Sequence, residues 1–228
     1  MKLLKGHWQL IALTALVFVL WTTPVVFPLK VLVVFLHELS HGLAALATGG
    51  SIDSISVSAQ QGGLAVTRGG NGFVILSAGY VGSLMLGMAL LLVALRTRMD
   101  RAAVMALGFL MLVVTLLYVR GLFGVAFSLA TGVALLAIGR YLSREINDMV
   151  LRLIGLTSVI YVPYDIFDDT IARSGLRSDA YMLAEQYGGP TMFWGALWLA
   201  ISLAVIYWGL RRGIGRNSNL SFRKILRR

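Results

Sequence analysis

Apolar residues fall in long runs separated by short polar breaks, and the runs have the length that crosses a bilayer, roughly 20 residues for about 30 Å of hydrocarbon. They predict spans at about 8–23, 25–48, 73–95, 102–119, 122–138, 149–163 and 191–210. The expected fold is an all-α polytopic membrane protein of six to seven transmembrane helices. Pro24 and Pro28 mark the turn between the first two runs, Gly49-Gly50 ends the second, and the cluster Arg96 to Arg101 closes the third. Arg120-Gly121 divides the fourth run from the fifth, as in a tight helical hairpin. Between the second and third runs the period changes. Ile55, Val57 and Ala59 alternate with Ser54, Ser56 and Ser58 ahead of Gly62-Gly63 and the short run Leu64 to Thr67. Period two around a glycine turn predicts a small β-hairpin over 52–68. Residues 1–210 read as a single transmembrane domain with that hairpin inserted. Residues 211–228 read as a basic tail with seven Lys/Arg and no acid.

Composition agrees with the pattern. Hydrophobic residues make up 58% of the chain and charged ones 13%, against about a quarter charged in soluble domains, so the bilayer is the solvent. The net charge of +10 comes from clusters between apolar runs and at the C-terminus. That placement suits anionic lipid head groups and topology signals, and it excludes a nucleic-acid-binding face. Lys2 and Lys5 precede the first run as in a secretory signal, but Thr22-Thr23-Pro24 offers no small-residue cleavage site, so the run is read as retained. With no cysteine in the chain, any metal site must use His, Asp or Glu.

Such a site is written into the second run as His37-Glu38-Leu39-Ser40-His41. Histidines four apart project from one helical face and can share a tetrahedral ion, and Glu38 beside them can take a proton from a water at the open coordination position. The run Val31 to Ala47 is otherwise nearly free of polar groups, and ionisable residues at membrane depth are costly and functional by default. The chain has three His and three Glu. Their chance occurrence at this spacing is on the order of one in a thousand, which favours a metal site over histidines that merely bridge helices. His7 stands alone near the membrane entrance and reads as interfacial. Four of the seven aspartates, Asp165, Asp168, Asp169 and Asp179, fall within fifteen residues. One carboxylate would complete a ligand set with two neutral imidazoles, and the others would orient an imidazole or form a solvated loop. Ser178 suits the cap of a helix starting at Asp179.

His37-Glu38-Leu39-Ser40-His41-Gly42 in an apolar helix, followed by a short hairpin and another span, resembles the site-2 protease family of intramembrane zinc metalloproteases. The likeness spans residues 25–170. It implies Zn2+ held by His37 and His41, Glu38 as the catalytic base, membrane-protein substrates, and a multi-pass location in a bacterial inner or plasma membrane. The family carries a later Asn-x-x-Pro-x-x-x-x-Asp-Gly element. Pro163 to Asp168 keeps its Pro-to-Asp spacing, which implies Asp168 as the third ligand, with Asp165, Asp169 and Asp179 as alternative ligands or orienting partners. Ile160 stands where the family has Asn, and Asp169 where it has Gly. Ala78-Gly79-Tyr80-Val81-Gly82-Ser83 is similar to the family's Ala-Gly-Pro-x-x-Asn element, although Gly79, Gly82, Ser83 and Gly87 also suit close helix packing.

Two other classes compete. A noncatalytic membrane protein of this fold would bind a metal or a partner protein, and the intact Glu38 argues against it. A transporter would use intramembrane His and Asp as a relay, but the sequence has no repeat or paired broken helices. Orientation sets up a conflict. Seven spans with the 96–101 cluster and the tail inside put the N-terminus outside and run the metal helix outward, opposite to the family's arrangement.

Overall fold

The computed structural model describes residues 2–173, 175–215 and 217–220, with side chains from Lys5 onward. The end of the basic tail, 221–228, lies outside the described residues. In chain order come α1 (Lys2–Val19), α2 (Phe27–Ala47), β1 (Ser51–Val57), β2 (Gly63–Arg68), α3 (Gly72–Arg96), α4 (Asp100–Tyr118), β3 (Val119–Arg120), α5 (Leu122–Tyr141), α6 (Arg144–Phe167), α7 (Asp179–Tyr187) and α8 (Thr191–Gly213). A π-helical turn, Asp168–Ala172, continues α6.

Six helices are long and apolar enough to cross a membrane: α2, α3, α4, α5, α6 with its π turn, and α8. The first expected span is shorter than its apolar run suggested. Helix α1 stops at Val19, is kinked at His7 (φ −133, ψ 15), and has an apolar part of only Lys5–Val19.

Helix starts follow local chemistry. Pro28 sits in the first turn of α2, where a missing N–H leaves no bond unmade. Side chains of Asn71, Ser143 and Ser178 cap α3, α6 and α7 by accepting from Val74, Ile146 and Tyr181 N–H groups. Helix α6 outruns its expected 149–163 at both ends, because its charged first turns find partners. Asp148 and Arg152 pair with each other while buried, Arg152 Nη1 donates to the Ser218 carbonyl at 2.6 Å, and Arg144 pairs with Asp100 at 2.6 Å.

The expected hairpin forms as antiparallel β1 and β2, with a bulge between Ile52 and Ser54. The bulge shifts the alternation so that Ile52, Ile55 and Val57 share the buried face. The break at Arg120 is a third strand. Val119 and Arg120 pair in parallel with Ile55 and Ser56, giving a sheet of order β2-β1-β3.

Small residues bring the helices together. A Cβ on Gly155 would stand 2.6 Å from Leu91 Cβ, and Gly87 abuts Ser158, so α3 and α6 pack antiparallel at close range. Helix α2 is the enclosed element, with 72% of its span window buried against 17% for α8. It rests on β1 where Gly42 meets Ile52.

Candidate metal centre

The motif sits on the C-terminal half of α2, and the helix keeps its register through it. His37 and His41 therefore present Nε2 atoms on one face, with ring centroids 4.8 Å apart. Facing them, Asp179 in the first turn of α7 brings Oδ2 to 3.0 Å from His37 Nε2 and 3.2 Å from His41 Nε2. The three donor atoms all lie within 4.8 Å of one another. Donors around a tetrahedral ion with bonds of about 2.0–2.2 Å stand roughly 3.3 Å apart, so the two distances to Asp179 suit a metal ion shared by the three.

Supporting contacts fix the donors. His41 Nδ1 lies 2.7 Å from the Ile75 carbonyl, a bond that requires the proton on Nδ1 and leaves the Nε2 lone pair for the ion. Gly79 is required by this arrangement. A Cβ there would stand 2.5 Å from His41 Nε2 and would also meet His37 Nε2. Tyr80 lies edge-on to His37 at 4.8 Å and donates its hydroxyl to Asp169 Oδ2 at 2.6 Å. Burial alone would raise the Asp179 carboxyl, but the positive charge and hydrogen bonds of the His41 and His37 imidazoles, present while their Nε2 atoms carry protons, hold it below the usual carboxylate range. It therefore stays an anion, the form a metal ligand needs.

Glu38 is buried beside the histidines, under β2. The Ala65 backbone N–H donates to it, and a Cβ on Gly63 would stand 2.6 Å from its Cγ. Strand β2 therefore passes directly over the carboxylate. A cavity of about 620 Å³ opens here, lined by His37, Glu38, His41, Asp165, Asp169 and Asp179 among others.

The expected residues divide among distinct positions. His37, Glu38, His41 and Asp179 come together. Asp165 lines the same cavity, and Asp169 is held by Tyr80 and by Arg173 at 3.1 Å. Asp168, the ligand implied by spacing, pairs with Arg173 on the flank of α6 and does not line the cavity. Desolvation lowers the Arg173 guanidinium, but Asp168 and Asp169 beside it together raise it above its ordinary value. His7 is buried, with Nδ1 2.9 Å from Ser218 Oγ. Sequence reasoning missed the contacts of Tyr80, Gly63 and Ala65 with the site. Gly79 adjoining Tyr80 was the one available signal, and it reads equally as helix packing.

Fold and site define a polytopic helical membrane protein with a candidate His-His-Asp metal centre. The chain matches the family model described as Peptidase M50B-like over residues 10–209, and it belongs to that family, within the site-2 protease group of metallopeptidases. No curated protein and no solved structure matches it.

Proposed function

We propose that this chain is an intramembrane zinc metalloprotease in which His37, His41 and Asp179 hold the ion and Glu38 is the general base. The observation that carries the reading is the convergence of three donor atoms within 4.8 Å, beside a buried glutamate, in the wall of an open cavity. Zinc bound there would polarise the scissile carbonyl and make the attacking water more acidic. Glu38 accepts that water's proton and hands it to the leaving amine. His41, anchored on the Ile75 carbonyl, keeps the donor set aligned through the cycle.

Strand β2 holds the substrate. A transmembrane helix hides its peptide groups in internal hydrogen bonds and must be unwound before water can attack. The outer edge of β2 has no strand neighbour among the described residues, and it exposes Leu64 and Val66. An unwound segment adds there as a further strand, its backbone paired and its carbonyl near Glu38.

The test is zinc content and cleavage of a model transmembrane substrate by purified protein in detergent. Wild type should hold about one zinc, and Glu38→Gln should keep it while cleaving about 10²–10⁴-fold more slowly. Wild type without zinc would sink the reading. Zinc-loaded wild type that cuts nothing would favour the noncatalytic alternative.

A further inference from the structure

The helix ends gather into two groups with opposite charge character. At one end a continuous set of contacts ties six elements together. Asn219 Nδ2 donates to the Lys5 carbonyl and Ser218 N to the Gly6 carbonyl, while Arg152 reaches Ser218. Arg96 Nε donates to the Gly213 carbonyl at 3.0 Å, Arg144 to Thr97, and Arg101 to Leu142. The starts of α1, α4 and α6 and the ends of α3, α5 and α8 therefore share this end. At the other end, Asn71 N donates to Thr48 Oγ1, Phe73 packs on Tyr187 and Trp194, and Gly124 abuts Val57. The end of α2, the start of α3, the sheet, α7 and the start of α8 meet there around the cavity.

The cations divide unequally. The first end carries Arg96, Arg98, Arg101, Arg140 and Arg144 in or beside short connections, with Lys5, Arg211 and Arg212 at the same end. At the cavity end stand fewer, Arg68, Arg120, Arg173 and Arg177. Short connections rich in Lys/Arg stay cytoplasmic. Arg211 and Arg212 also lie over the rings of Tyr207 and Trp208 at the basic end of α8, an arrangement suited to an interfacial anchor.

We infer that the basic end faces the cytoplasm and the cavity opens on the opposite side, so that substrates are membrane proteins presenting a segment from the non-cytoplasmic face. The seven-span count that put the N-terminus outside is thereby revised, while the metal helix still ends on the non-cytoplasmic side, opposite to the family's arrangement. Helix α1 starts at the basic end, and the Trp21 that follows it lies against Tyr161 and Tyr164, in the last third of α6. Between Lys5 and Thr48 the chain passes from the basic end to the cavity end, and Lys5 and residues 217–220 lie on the same side. The naming of a substrate class rests on the proposed protease activity; the orientation does not.

The chain has no cysteine, so single-cysteine variants can be labelled in cells with a membrane-impermeant maleimide. Gln60→Cys and Leu176→Cys at the cavity end should label fully in intact cells. Met99→Cys and Tyr141→Cys at the basic end should label only after permeabilisation. The reverse pattern overturns the inference, as does labelling of both ends or of neither in intact cells. Labelling needs no activity. Zinc-loaded wild type that cuts nothing, with Gln60→Cys labelled from outside, would keep the orientation and sink the protease reading, and active wild type with the reverse labelling would do the opposite.

Discussion

Both ends of the molecule bury charge within apolar sequence, and they do so in opposite ways. At the basic end Asp148 and Arg152 are nearly inaccessible, paired with each other, and closed off by the Ser218 carbonyl. At the cavity end His37, His41 and Asp179 are nearly as enclosed, but their donor atoms aim at one point and border open space. A buried charge whose bonds are saturated holds elements together. One whose donor atoms converge beside open space, bonded meanwhile to one another, is built to receive something. The cost of burial is similar at the two ends, and what separates structure from chemistry is the direction of the unused valence.

The strongest way to break this contrast is Asp179→Ala. It should abolish zinc binding and activity together, with affinity falling by more than the 10–100-fold that loss of an orienting partner costs. Metal analysis of purified protein checks it, and retained zinc would return the carboxylate role to Asp165 or Asp169. Next in size is Asp148→Ala, which strands the Arg152 guanidinium. It should destabilise the protein by about 3–5 kcal/mol, read as an earlier unfolding transition in detergent, while folded molecules still bind zinc. Removing both charges with Asp148→Leu and Arg152→Met should recover much of that loss. The smallest effect belongs to Asp168→Ala. Its partner Arg173 is half exposed, so stability should change by less than about 1 kcal/mol and zinc content should not change. Zinc loss in that variant would restore the ligand that sequence spacing implied.

The sequence showed the histidine pair because a helix converts spacing of four directly into proximity. It showed the hairpin through the alternation around Ile55 and Val57, and the start of α7 through Ser178. It did not show which aspartate meets the histidines. That depends on how far α6 continues past Pro163, on the π turn that follows, and on how the segment after Ala172 returns α7 to the site. None of these leaves a period to count. Strand β3 was equally hidden, since two residues cannot alternate. The polar start of α6 looked like the limit of a span because Arg152 finds its partner at Ser218, 66 positions along the chain.

The free edge of β2 also bears on the shape of the surrounding bilayer. Backbone groups with no partner cost several kcal/mol each in hydrocarbon, so an open strand edge implies water where it lies. With Gln60, Gln61 and Thr67 lining the same hollow, this end of the protein would carry an aqueous dent wherever the edge lies at hydrocarbon depth. Lipids beside it must thin or tilt to meet it, and a helix drifting past would lose part of its apolar surroundings on one side. Local hydration would then loosen that helix before any residue of the site touches it.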